Sequence, residues 1–234
     1  MNTNMMSREL SNISKEVREN IKYYVQKVPY GLYVGYAFIL LLISLLLFGV
    51  YNWHVVRTAQ AAQVALSESL LEYRAMKNGQ KEANWTQVIE KATQKYAAYK
   101  NSSIAPYFLL LKTDAQLEQG EYDHALQTMK SVVDSTRGTS LFCAHQLKYG
   151  LMQLDSADEA VQQAGKDILI KLTTDVKNPF RESALYYVGR YFFLHDDFAQ
   201  AKKMWQELVD TQRMEQTAVT AWVQLAQQQL EQLP

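Results

Sequence analysis

Residues 182–209 read ESALYYVGRYFFLHDDFAQAKKMWQELV, and the pattern of this stretch decides the fold. Asp196-Asp197 is a polar break between two runs of helical periodicity, which predicts a hairpin with helices over 180–194 and 198–210. Large side chains recur at Leu185, Phe192, Phe198, Trp205 and Leu208, whereas Gly189 and Ala201 are small. Small residues at those two positions let the helices cross closely. A hairpin of this size cannot bury its apolar face alone, so it needs neighbours of the same kind.

Working outward, short punctuation recurs at Lys77-Asn78-Gly79, Asn101-Ser102-Ser103, Gln119-Gly120, Ser135 to Gly138, Asp155-Ser156, Lys177-Asn178-Pro179 and Asp210 to Arg213. Breaks this short suit antiparallel helical neighbours. The remaining helices are expected over 57–77, 82–99, 103–118, 122–135, 139–154, 157–174 and 214–232. Ser156 with Glu159 reads as a capping box, and Asn178-Pro179 as an N-cap followed by proline at the first helical position. No run alternates as a strand over six residues, so the domain reads as all-α. The chain is 48% hydrophobic and carries one cysteine, Cys143, so its stability rests on core burial without an internal disulfide.

Residues 182–209 resemble a tetratricopeptide repeat. Residues 106–133 (PYFLLLKTDAQLEQGEYDHALQTMKSVV) resemble its second half through Gly120, Tyr122 and Ala125, with Lys112 and Thr113 departing from the pattern in the first half. Residues 139–174 agree in helix lengths only. The expected architecture is a tetratricopeptide-like α-solenoid of about four helix hairpins plus a C-terminal capping helix. In that last helix Val219, Trp222, Val223, Ala226 and Leu230 form one stripe and Gln224, Gln228 and Gln232 the polar outer face.

Nearer the N-terminus, no charged residue occurs from Val28 to Trp53, and Leu32 to Val50 (LYVGYAFILLLISLLLFGV) is almost wholly apolar and aromatic. Nineteen helical residues rise roughly 28 Å, close to the ~30 Å of a bilayer's hydrocarbon layer, which fits a single transmembrane helix. Tyr30, Tyr33 and Tyr36 mark one end, and Tyr51 and Trp53 the other. Arg8, Lys15, Arg18, Lys22 and Lys27 precede the span, whereas Arg57 is the one basic residue in the twenty that follow Trp53. The positive-inside rule then places the N-terminus in the cytoplasm. A cleaved signal peptide ending near Ala59-Gln60-Ala61 is the competing reading. About thirty residues before the apolar core, and the length of that core, favour an uncleaved anchor.

The predicted organisation is a cytoplasmic amphipathic arm over 1–30, a transmembrane helix over 31–54 and a helical-repeat domain over 55–234. In the arm, Leu10, Ile13, Val17, Ile21, Tyr24 and Val28 recur at helical spacing, fitting contact with lipid or a partner, or a simple tether. Past the span lie 19 basic residues against 21 acidic ones, a balance unsuited to nucleic acid.

An apolar anchor, an Ala-rich first helix with Leu66, Leu70, Leu71 and Tyr73, and the segment YKNSSIAPYFLLLKTDAQLEQGEYDHALQTMKSVV (Tyr99 to Val133) together resemble the YfgM-like family. That resemblance implies a single-pass bacterial inner-membrane protein with a periplasmic tetratricopeptide-like domain. It further implies an ancillary role at the Sec translocon and partnership with a periplasmic prolyl-isomerase chaperone. The arm is longer than the family leads one to expect.

Catalytic chemistry has little support. His54, His124, His145 and His195 lie in four different elements, and Gly-rich phosphate loops and nucleophile elbows are absent from the sequence. Cys143 in LFCAHQL reads as a small hydrophobe on a buried helix face. The expectation is no enzyme activity, no cofactor, no metal and no small-molecule substrate. Protein recognition is the positive reading: by repeat register, Tyr107, Leu110, Asp114 and Leu117, with Tyr186, Arg190, Phe193 and Leu194, should line a concave partner-binding groove. Taken one at a time, the aromatics of this set are better explained by packing between adjacent repeats, with two or three of them expected to be exposed. The alternative to a client-binding module is a self-associating scaffold of a cell-envelope assembly.

Overall fold

The structure, a computed structural model, describes residues 15–24, 31–215 and 219–233, and among these every regular element is helical. Helix α1 covers 15–24. The others are α2 (Gly31–Lys77), α3 (Trp85–Ala98), α4 (Ala105–Glu118), α5 (Tyr122–Ser135), α6 (Phe142–Leu154), α7 (Glu159–Thr174), α8 (Arg181–Leu194), α9 (Phe198–Glu215) and α10 (Ala221–Glu231). By contacts the chain divides into two units, Met1–Thr58 and Ala59–Pro234.

In the first unit, Val17, Ile21 and Tyr24 lie exposed on α1, while Leu10, Ile13 and Val28 of the predicted arm stripe fall outside the described residues. The apolar part of α2 exposes its side chains on every side from Tyr33 to Arg57. It is the one described helix long and apolar enough to cross a membrane, with a mean hydropathy of 2.4 in its most apolar window. Apolar side chains around a whole helical circumference suit surroundings that are apolar on all sides. At its far end the Arg57 guanidinium lies 5.2 Å from the centre of the Trp53 ring.

The second unit is a row of hairpins. The last turns of α2 pair with α3, and the pairs α4/α5, α6/α7 and α8/α9 follow, with α10 against α8 and α9. Five clusters of buried side chains run along the row. Ala62 and Ala65 of α2 meet Phe108, and Met76 meets Val88, Leu111 and Ala115. Met129 and Val132 fill the space between α4, α5 and α6. Leu169, Leu172, Ala184 and Val188 join α7 to α8, and Trp205, Leu185 and Ala201 join α8 to α9, where Val223 and Ala226 of α10 close the end. A row of small cores, each shared by consecutive hairpins, is the architecture of a solenoid.

Glycines mark two kinds of place. Gly120 ends α4 with φ +80, while Glu121 N–H donates to Gln116 O and Gly120 N–H to Leu117 O. The same pair of bonds ends α8, but there Asp196 takes the left-handed conformation at φ 59. Gly189 is required by close approach: a Cβ there would sit 2.4 Å from Trp205 Nε1, so the residue's smallness admits the indole. Thr113, the departure from the repeat pattern, is fully buried because its hydroxyl donates to Leu109 O at 2.9 Å.

Three local expectations are corrected. The chain does not break at Asp210 to Arg213; α9 runs on to Glu215, and the last helix starts at Ala221 behind Thr220, whose Oγ1 accepts from Val223 N–H. Ser156 and Glu159 do not form a capping box. Asp158 is the N-cap of α7, its carboxylate accepting from Ala160 N–H at 2.8 Å, and Ser156 Oγ accepts from Asp158 N–H. Asn178 does not cap α8, which begins at Arg181. It is buried, donating to Leu172 O and accepting from Phe180 N–H, and so ties the end of α7 to the turn before α8. At Ser156 and Asn178 alternative hydrogen bonds took the place of the expected caps. In the terminal stripe, Val223 and Ala226 are fully buried and Trp222 and Leu230 lie against the core, but Val219 is exposed.

His145 is buried at the start of α6, with Nδ1 3.1 Å from Thr136 Oγ1. Thr136 gives its own proton to Val132 O, so its oxygen accepts from the imidazole, which donates through Nδ1. Burial, and secondarily the Lys148 charge, push its pKa below the ordinary 6.5. The unfolded chain therefore binds this proton first, and stability is complete above about pH 6.5 and declines as pH falls beneath it. Urea titrations of wild type and His145→Gln at pH 7.5 and 5.5 are expected to show a smaller loss of stability in the variant.

Candidate functional site

The eight residues expected to line a groove separate into three groups. On α4, Tyr107 and Leu110 are half-buried, Leu110 against the Met129 cluster, while Leu117 is exposed. Asp114 turns toward the next hairpin and accepts a 2.6 Å bond from Lys148 Nζ of α6. Both groups are about a third exposed, so Asp114→Ala is expected to cost less than about 1 kcal/mol in a thermal melt.

On α8, Tyr186 and Phe193 pack inward. The Tyr186 ring lies 6.5 Å from Trp205 and 5.6 Å from Trp222, and Phe193 5.9 Å from Trp205. The Trp205 indole N–H donates to Tyr186 O at 3.1 Å. These two aromatics bind α8 to α9 and α10.

Arg190 and Leu194 instead border an open depression of about 480 Å³ between the end of α6 and the face of α8. Its apolar side is formed by Leu151 and Leu154 of α6 with Tyr187 and Tyr191 of α8. Its polar side is formed by Asp155, Gln162, Arg190 and His195. Helical spacing explains the set: Tyr187, Arg190, Tyr191 and Leu194 follow at three and four residues, so they share one face of α8.

Several contacts hold the walls in place. Tyr187 rests edge-on against Tyr186 and 5.5 Å from Trp222. The His195 ring stacks on Tyr191 at 4.1 Å, and His195 Nδ1 donates to Tyr191 O at 2.8 Å. Lys166 of α7 lies 5.7 Å from the Tyr191 ring. Burial, with the charges of Glu159 and Asp167, raises the Tyr191 pKa, so the phenol stays protonated at neutral pH. Gln162 Nε2 donates to Ser156 O at 2.6 Å, fixing the turn that carries Asp155.

Reading by repeat register did not place Leu151, Leu154, Tyr187 and Tyr191 in the groove. The hairpin that supplies the two leucines agrees with the repeat in length only, which left its inward face unassigned. The i, i+3, i+4, i+7 spacing from Tyr187 to Leu194 was the available signal.

What the arrangement offers is an apolar floor with two charges at its edge. Among the described residues, no group of three His, Cys, Asp or Glu side chains is placed to hold a metal ion.

No family profile and no curated protein matches the chain. Among solved structures, two crystal structures of nearly identical tetratricopeptide-like repeats of a kinesin-light-chain-type protein from Podosopora anserina match it, one of them of a singly substituted form. Each superposes with a TM-score of 0.53 at 15% identity, over 71% of this chain and 83% of the other. The fold is tetratricopeptide-like. At that identity the likeness speaks for architecture alone.

Proposed function

We propose that the chain is a membrane-anchored protein-recognition module, with residues 1–30 in the cytoplasm, 31–54 crossing the inner membrane and 55–234 forming a periplasmic domain that binds partner proteins or secretory clients. The observation that carries recognition is the depression between α6 and α8, with an apolar floor and the exposed Leu194 beside it in a fold of stacked helix pairs. The anchor reading is supported by the apolar, all-round exposed part of α2 and by the basic residues that precede it. Tethering would raise the effective concentration of the repeats toward other membrane proteins, so useful occupancy needs no tight intrinsic affinity.

Work at the Sec translocon beside a prolyl-isomerase chaperone follows from the resemblance to YfgM-like proteins. In vivo photocrosslinking from a photoreactive residue at Arg190 or Leu194 tests it. Adducts with translocon subunits, the chaperone or nascent secretory chains are expected from these positions and not from Lys202 on α9. Equal adducts from Lys202, or none from the depression, would remove the reading. Topology is tested by reporters fused after Tyr24 and after Pro234, which should report opposite sides of the membrane.

Self-association into an envelope scaffold has one observation in its favour. Val64 and Leu71, seven residues apart on the part of α2 in the repeat unit, are 59% and 66% exposed. Sedimentation of the full chain in detergent decides it, since a monomer that stays a monomer on raising the concentration sinks the scaffold.

A further inference from the structure

We propose that the depression between α6 and α8 binds a peptide segment of mixed charge, with a leucine-like side chain seated between Leu151 and Tyr187, a carboxylate of the segment at Arg190 and an amine of the segment at Asp155. The inference rests on the recognition reading above and specifies its ligand.

The two charges carry it. Arg190 and Asp155 are both exposed at the depression, and neither side chain makes a hydrogen bond or ion pair among the described residues. Nor do they pair with each other, so the floor between them stays open. Other charges of the domain are arranged differently: Lys148 holds Asp114, Arg181 holds Glu207, and Glu72 is shared by Lys81 and Lys91. Asp155 also stands at the C-terminal end of α6, where helix carbonyls already concentrate negative charge, so a cation is the favoured neighbour. Arg190 presents a planar fork of donors that suits a carboxylate. A volume of about 480 Å³ falls within the range of sites that enclose small ligands. Leu194, 66% exposed at the same edge, adds apolar surface that a bound segment would cover. One occupant therefore needs both charge signs and an apolar centre.

A charge-swap series measures this directly, by fluorescence anisotropy on the full chain in dodecyl maltoside. The probes are fluorescein-labelled Gly-Ser-Glu-Leu-Leu-Lys-Ser-Gly, its two-lysine and two-glutamate versions, and a version with both leucines replaced by alanine. Wild type should bind the mixed-charge peptide at least threefold more tightly than either like-charged peptide, and the alanine version more weakly still. Arg190→Glu should shift the preference to two lysines, and Asp155→Lys to two glutamates. Both positions are exposed, so the variants are expected to fold; Arg190→Gln and Asp155→Asn, which should merely level the preference, repeat the test without a reversed charge. A ranking that no variant alters, or no binding of any peptide, overturns the proposal. If crosslinks still form from Arg190 in that event, the recognition reading survives and only the ligand chemistry is wrong; if crosslinks are lost as well, both fail.

Discussion

Trp205→Ala is expected to lower the unfolding free energy of the repeat domain by about 3–5 kcal/mol, the range for emptying a fully enclosed aromatic site. Trp205 is 0% exposed and is the largest fully buried side chain of the domain. It touches Leu185, Ala201 and Leu208, holds Tyr186 and Phe193 by their rings, and donates to Tyr186 O. Gly189 cannot refill the space, because it contributes no side chain, and α10 rests on the same cluster through Val223 and Ala226. The loss should therefore reach three helices. Chemical denaturation followed by far-ultraviolet circular dichroism checks the magnitude, and Trp205→Phe, which keeps most of the volume, should recover more than half of it. A loss under about 1 kcal/mol would mean that the last repeat is not built on this side chain.

Arg181→Ala is the second large effect, expected at about 2–4 kcal/mol because several charge-assisted bonds are lost together from a buried guanidinium. The Arg181 side chain is 11% exposed and joins three helices. Its Nε donates to Thr173 O of α7 at 3.0 Å, one terminal nitrogen to Thr211 Oγ1 of α9, and the other to Glu207 Oε1 at 2.7 Å. Glu207 is 40% exposed, so water can rescue it, which keeps the cost below that of breaking a wholly enclosed pair. Arg181→Lys separates charge from geometry. One ammonium cannot reach three acceptors set out for a fork, so lysine should restore less than half of the loss in the same denaturation experiment.

The helical content was legible in the sequence because local rules govern it. Helix α5 came out at the predicted residues, and most other ends moved by only a few. The largest miss was at Asp210 to Arg213, where a polar run resembles a break; α9 continues through it with Thr211 receiving Arg181. The contact with Arg181 comes from thirty positions away, which no local window contains. The cap assignments at Ser156 and Asn178 failed for a related reason. Several side chains near a helix start can accept from its exposed N–H groups, and geometry picks among them.

The candidate site was half legible. Arg190 and Leu194 were readable from the repeat register, and they do border the depression. Tyr186 and Phe193 share that helix, yet they face Trp205, because aromatic residues on neighbouring faces of α8 are equivalent as letters and are told apart only by what stands opposite. Leu151 and Leu154 come from a hairpin with a weak repeat pattern, so only the meeting of α6 with α8 reveals them.

By itself, then, the sequence determined the charge-free apolar helix near the N-terminus, the basic residues ahead of it, the all-α character and the succession of hairpins. These follow from composition and from periods of three to four residues, which each segment carries within itself. The tertiary structure decided which aromatics became core, where Arg181 would reach, and that Arg190 and Asp155 would stand unpaired across one apolar floor. Those are relations between residues 8 to 36 positions apart on different helices, set when helices dock, and docking is a property of matched surfaces rather than of any one stretch.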